Sequence, residues 1–198
     1  MPRTLHYTED AERVYFIVSR VPGKSIDEAW WDLNENQKEH CATRVAQIYQ
    51  ELSTWTSNSI AGVDENRPFD PWLDVGSGID TDLRPENLLE NCQQMHMDTS
   101  TFVFNHNDLG PTNVIVDVGD NCNIGLVDWE MAVFVPFAWV RTKLAACWAG
   151  DFNSRKGVDA DDISMSEWRR HVAEELGKYN VPDLSEEFQS RFYRERDK

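Results

Sequence analysis

Positive charge is scarce in this chain. Nineteen Lys and Arg stand against 35 Asp and Glu in 198 residues, a formal net charge of -16. Nucleic acid is not an expected partner, because phosphate binding needs a basic face. Long hydrophobic runs are missing too. None approaches the ~20 residues needed to span a bilayer, and the N-terminal MPRTLHYTEDAERVYF lacks an apolar signal core. No membrane segment and a cytoplasmic location are the expectations. The four cysteines, Cys41, Cys92, Cys122 and Cys147, form no Cys-x-x-Cys pair, and no Asn-x-Ser/Thr acceptor occurs. Buried free thiols are expected and a zinc site is not. What is present is 40% hydrophobic and 11% aromatic residues, enough for one domain, 1–198, with a packed core. The acidic surplus reads first as solvated surface and second as an attraction for a cationic small molecule.

The most informative stretch is Thr101 to Glu130, TFVFNHNDLGPTNVIVDVGDNCNIGLVDWE. Phe102 and Phe104 alternate with smaller neighbours and give way to Asn105-His106-Asn107-Asp108. Gly110-Pro111 breaks regular structure, so these polar residues fall in a loop. Asn113 to Val118 suits a strand, Gly119-Asp120-Asn121 a turn, and Ile124 to Val127 a second strand. Antiparallel pairing returns both ends of this hairpin to one edge. Asp108 and Asn113 at its entry and Asp128 at its exit then converge.

Converging hard oxygen groups suit phosphoryl transfer, which needs a carboxylate for the attacking hydroxyl and ligands for Mg²⁺. The spacing His106-x-Asp108-x-x-x-x-Asn113, followed by Asp128, is that of a kinase catalytic loop and metal-binding acid. The chain resembles the aminoglycoside phosphotransferase family, which shares the protein-kinase-like fold. HNDLGPTN stands where that family usually has a His-Gly-Asp start, and Asp128-Trp129-Glu130 is a common form of its second motif. The resemblance implies Asp108 as catalytic base, His106 as the orienting residue of the loop, and Asn113 and Asp128 as Mg²⁺ ligands. It implies ATP and Mg²⁺ as cofactors and a small-molecule hydroxyl as acceptor.

Residues Arg13 to Val21 form an apolar run ended by Pro22-Gly23, a strand feeding a turn. By the resemblance, residues 1–24 are the last strand and hinge of a small N-terminal lobe. Backbone at Ser19, Arg20 and Val21 would then meet the adenine ring. A full family member carries further parts ahead of this point: a phosphate-covering Gly-rich loop, a strand lysine and a helix glutamate. The twelve residues before Arg13 supply none of them, and Gly76-Ser77-Gly78 comes too late. The expected fold is α+β, mainly helical: a kinase-like C-terminal lobe whose small hairpin carries the catalytic loop, with most of the N-terminal lobe absent.

Elsewhere the chain reads as helices and a connection. Ser25-Ile26-Asp27-Glu28 is a capping box for a short helix through Trp31, and Asn34-x-x-Gln37 opens a longer one. Cys41, Val45, Ile48, Leu52 and Trp55 share one face of the latter. His40 falls beside that face, at its boundary. Thr56 to Thr81 is irregular, with Phe69 and Trp72 docking it. Asp82 to Met97 is helical, with Leu88, Leu89, Cys92 and Met95 as its apolar stripe. After Glu130 the chain runs from loop to helix, Pro136 setting the start and Trp139, Leu144, Cys147 and Trp148 facing inward. Ser164-x-x-Glu167 and Asp183-x-x-Glu186 cap helices over Ser166–Tyr179 and Ser185–Arg196. Glu174, Glu175, Glu186 and Glu187 read as a solvated face.

Three accounts follow. The chain is an ATP- and Mg²⁺-dependent phosphotransferase of low turnover by itself; or a non-catalytic, pseudokinase-like binding module; or a shortened form of an ordinary kinase. An exposed apolar patch around Val14, Phe16 and Val18 is expected, with a homodimer through this hinge-side surface covering it.

Overall fold

The computed structural model describes residues 2–63, 68, 70–74, 81–146, 151–152 and 166–196. Alternating β-branched and aromatic residues build an N-terminal hairpin of β1 (Thr4–Glu9) and β2 (Val14–Val18), paired from Thr4↔Val18 to Glu9↔Val14 with an irregularity between Thr4 and His6. Sequence reasoning foresaw only the second strand. A second sheet has the order β3 (Lys24–Ser25), β7 (Val114–Asp117), β8 (Asn123–Leu126). A third has the order β4 (Thr56–Ser57), β6 (Phe102–Asn105), β9 (Val133–Pro136), β5 (Ala61–Gly62). All pairs are antiparallel. The helices among the described residues are α1 (Ile26–Ala29), α2 (Glu35–Leu52), α3 (Pro85–Gln94), α4 (Phe137–Ala146), α5 (Glu167–Lys178) and α6 (Ser185–Arg196). The architecture is α+β, with more helix than strand among the described residues.

The short helix α1 stops at Ala29 and tightens into a 3-10 turn, Trp30–Asp32. Helix α2 starts on the expected box: Asn34 accepts from the Gln37 amide while the Gln37 side chain accepts from the Asn34 amide. Cys41, Val45 and Leu52 are buried along it and Ile48 packs at the edge of the core. Trp55 is 58% exposed, because α2 ends at Leu52 and the chain turns toward β4. Helix α3 is shorter than its pattern, beginning at Pro85 in the favourable first position. Pro136 ends β9 opposite Phe102 and α4 starts one residue later, so a strand replaces the loop expected there. Proline at a strand end donates no ladder bond, which that place does not require. Ser166 precedes α5 without a side-chain cap bond. Phe69, Gly76-Ser77-Gly78, Cys147, Trp148 and Ser164 lie outside the described residues.

Two apolar clusters hold these pieces together. One joins α1, α2, β7 and β8 to α4 and α5 through Trp30, Val45, Val114, Val116 and Trp168. The other joins α3, β6, β9, α4 and α6 through Leu88, Met95, Phe102, Val133, Trp139 and Phe188. Each such large side chain contributes about 1.5–3 kcal/mol on burial. Cys41, Cys92 and Cys122 are free and buried, and burial pushes the Cys41 and Cys92 thiols up to about 12. No helix among the described residues is long and apolar enough to cross a membrane.

The turn after β2 depends on one glycine. Gly23 sits at φ +110°, and a Cβ there would meet the Val116 carbonyl oxygen at 2.2 Å. Only glycine lets β3 pair with β7 at this approach. The contact of the 3-10 turn and α2 with α5 is polar as well as apolar. Trp30 Nε1 donates to Glu167 Oε2 at 3.1 Å, and Lys38 Nζ reaches Glu167 Oε1 at 3.2 Å. Burial alone would raise the Glu167 carboxyl, but hydrogen bonds from Trp30 and Lys38 outweigh it and hold it below the usual carboxylate range. Glu175 leaves the predicted solvated face: it is buried and accepts from Thr43 at 3.1 Å.

A carboxylate depressed in the folded state stabilises above its unfolded value and loses that contribution as pH falls through the folded one. Glu167→Gln is expected to lower stability near pH 7 by about 1.5–3 kcal/mol, the range for hydrogen bonds to a charged group. The gap to the parent chain should close as pH falls below 4.5, the carboxyl's ordinary value. Urea unfolding at pH 7 and pH 3.5 checks this; a gap unchanged between the two would show that the Glu167 charge plays no part.

Candidate active site

Strand β6 delivers a loop whose backbone is bent by composition. Asn107 adopts φ +67°, a left-handed value that Asn tolerates better than most residues. Gly110-Pro111 follows, and Gly110 O accepts from the Asn113 amide at 3.1 Å. Pro111 O accepts from the Asp27 amide at 3.0 Å, which ties the loop to the start of α1. Strand β7 then leaves at Val114, pairing with Leu126 of β8.

Within this loop the predicted residues meet. Asn113 Nδ2 donates to Asp108 Oδ2 at 2.9 Å and to the Asp108 carbonyl at 2.8 Å. The Asn113 amide oxygen accepts from the Thr112 hydroxyl at 3.3 Å. His106 is fully buried. Its Nε2 lies 2.9 Å from the Val127 carbonyl, so Nε2 carries the proton, and Nδ1 accepts from the Asp108 amide at 3.4 Å. Burial pushes the imidazole below its ordinary value, which keeps this neutral tautomer in place. The Val127 amide in turn donates to the Asn113 carbonyl at 3.1 Å. Both polar groups of Val127 are thereby bound to the catalytic-type loop, and Asp128 follows it directly at φ +63°.

Asp128 is exposed and faces a cleft of about 760 Å³. One wall is Phe16, Val18, Ser19, Arg20 and Val21; the other is Ile115 and Val127 to Glu130. The hinge-type residues Ser19, Arg20 and Val21 and the acid Asp128 therefore share one apolar-walled cavity. His106, Asp108 and Asn113 form the adjoining hydrogen-bonded cluster and do not line that cavity. Trp129 was quoted in the sequence only as part of Asp-Trp-Glu, yet it lines the cleft and packs on His106 with ring centroids 4.4 Å apart. It also stacks on Phe104 at 6.1 Å and 4°. Its signal was the motif itself. Phe16 gave none beyond strand propensity. Tyr49 of α2 also approaches: burial, then the Asp108 charge, raises its hydroxyl.

Among the described residues no group of three or more His, Cys, Asp and Glu could hold a metal. Asp128 faces the cleft, whereas Asn113 does not line it and pairs with Asp108 and Thr112. A carboxylate oxygen at a cleft is a donor of the kind Mg²⁺ takes, since that ion uses one or two protein oxygens and completes its shell with water and phosphate.

The family model described as "Phosphotransferase enzyme family" matches residues 1–139, and the chain belongs to that family. A phosphotransferase type of function comes with it. None of the curated proteins compared matches the chain.

His106→Phe keeps ring volume and removes both bonds of the imidazole, leaving the buried Val127 carbonyl unpaired. A loss of about 1–3 kcal/mol is expected. Calorimetry should register it as a melting point lower by several degrees, at ~2–4 °C per kcal/mol for a chain of this size; an unchanged melting point would mean that the Val127–His106 link holds nothing.

Proposed function

We propose that this chain binds Mg²⁺-ATP in the 760 Å³ cleft and transfers the terminal phosphoryl group to a small-molecule hydroxyl. The observation that carries it is the double attachment of Val127. It sets the Asp128 carboxylate at the mouth of a cavity whose other wall is the hinge segment. In this reading Phe16, Val18 and Ile115 take the adenine by its apolar faces and backbone at Ser19 to Val21 takes its edge. Asn113 and Asp128 hold Mg²⁺ on the phosphates, where the ion neutralises developing charge. Asp108 accepts the proton of the attacking hydroxyl, with its carboxylate oriented by Asn113 and its backbone by His106.

Such transfer is positioning and charge stabilisation. The acidic surplus favours a cationic acceptor. Binding and transfer separate by mutation. Mg²⁺-ATP should raise the melting temperature of the parent chain, by ligand linkage. Asp128→Ala should abolish that rise, whereas Asp108→Asn should keep it and abolish any transfer. No rise at millimolar Mg²⁺-ATP would defeat the proposal. A rise with no transfer to any hydroxyl tried would favour a binding module instead.

The N-terminal hairpin supports a partner of its own kind. Every residue of β1 and β2 is exposed, Val14, Phe16 and Leu5 by 61%, 60% and 59%. Two strands alone are marginal in water, and β1 presents an open edge. Antiparallel pairing of β1 with the β1 of a second copy would satisfy the outward-facing main-chain groups at Tyr7 and Glu9 and extend the hairpin into a four-stranded sheet. Sedimentation at increasing concentration should show a dimer that Tyr7→Pro, which removes a main-chain donor pointing away from β2, returns to monomer; a parent chain monomeric at about 100 μM would rule this pairing out.

A further inference from the structure

Lys143 lies on α4, some distance along the sequence from every residue assigned a role above. Its ammonium donates to the Asn107 carbonyl at 2.8 Å and to Asp70 Oδ2 at 3.1 Å. Asp70 is a carboxylate with 0% exposure. The same Oδ2 accepts from Trp139 Nε1 at 2.7 Å, and Oδ1 accepts from the Trp72 amide at 3.1 Å. Trp139 and Lys143 are four apart on one helix face. Asp70 is therefore gripped by α4 on one side and by its own turn on the other, and Lys143 carries that grip to the loop.

The bond to Asn107 falls on a particular peptide unit. The Asn107 carbonyl and the Asp108 amide belong to one rigid plane. Lys143 holds the carbonyl end, and His106 Nδ1 holds the amide end at 3.4 Å. Turning that plane would redirect the Asp108 side chain. Asn107 also sits at φ +67°, a conformation that persists only where surroundings fix it. A charge-assisted bond from a buried ammonium is among the stronger fixings available. A plain core ion pair would need no contact with this carbonyl.

We infer that Lys143, anchored by Asp70, is a positioning residue that fixes the Asn107–Asp108 peptide and so aims the Asp108 carboxylate. The inference rests on the proposed role of Asp108 as base.

The test removes both charges together, Lys143→Met with Asp70→Asn, so that no lone buried charge remains. Hydrogen exchange followed by mass spectrometry should show residues 105–113 exchanging about tenfold faster or more, with α2 and α5 unchanged. Mg²⁺-ATP affinity should stay within about twofold, since the cleft residues are elsewhere, while kcat for transfer falls roughly 10- to 100-fold. Lys143→Arg should restore much of both the protection and the rate. A simple structural role would weaken affinity and rate together and speed exchange across α4 as a whole. Unchanged exchange over 105–113, or an unchanged kcat, overturns the inference. If the parent chain binds nucleotide without transferring phosphate, the transfer reading fails, and the exchange comparison still decides whether Lys143 fixes the loop. Should the double variant not fold, Lys143→Gln alone removes the ammonium while Asp70 keeps its bonds from Trp139 and Trp72, and no change over 105–113 overturns the inference there too.

Discussion

The site depends on how one residue, Val127, is tied down. Its amide goes to the Asn113 carbonyl and its carbonyl to the His106 ring. The two peptide planes that flank Val127 are each held by one bond, so the next residue leaves in a fixed direction. That residue is Asp128, and its left-handed backbone turns the chain sharply toward the cleft. The price in backbone strain, of order 1–3 kcal/mol for a non-Gly residue at such an angle, is tolerable only with the clamp in place. A buried neutral imidazole is well suited to the work, because it offers one donor and one acceptor at opposite positions of a flat ring.

Around this clamp the sheets serve as brackets. The β7–β8 hairpin supplies Asn113 just before one strand and Val127 just after the other, so a two-strand register sets their separation. Strand β6 belongs to a different sheet, with β4 and β9, and brings His106 from there. The site is thus stitched between two sheets, and its geometry follows from the packing of α4 and α5 that holds them together. Trp129 fills the seam, lying on His106 and Phe104 while facing the cavity.

Much of the local organisation was legible in the residues. The spacing from His106 to Asn113 and on to Asp128 located the loop and hairpin, because turn chemistry and β-branched runs are local signals. The Asn34–Gln37 box located α2 for the same reason. What escaped was set at long range. Pairing of Val133–Pro136 with Phe102–Asn105 made a strand where a loop was expected, while the helix start set by Pro136 held. Exposure of Trp55 followed from where α2 ended, which helical periodicity does not state. Thr4–Glu9 lacks strong apolar alternation and became a strand by pairing with Val14–Val18. Asp70 reaches Lys143 across 73 positions of chain, and no spacing rule joins such a pair. The roles of the site residues were read through resemblance; the structure adds their neighbours and bonds.

Gly23 has a mechanical side. Its α-carbon lies against the Val116 backbone, so the chain is pinned to β7 there. On the other side of the cleft wall, the Ser19 amide is bonded to the Arg3 carbonyl and travels with the hairpin. The hairpin joins the remaining fold through Ser19 to Gly23, and Ser19, Arg20 and Val21 of that stretch line the cleft. The covalent link between the two parts and a wall of the pocket are therefore the same run of backbone.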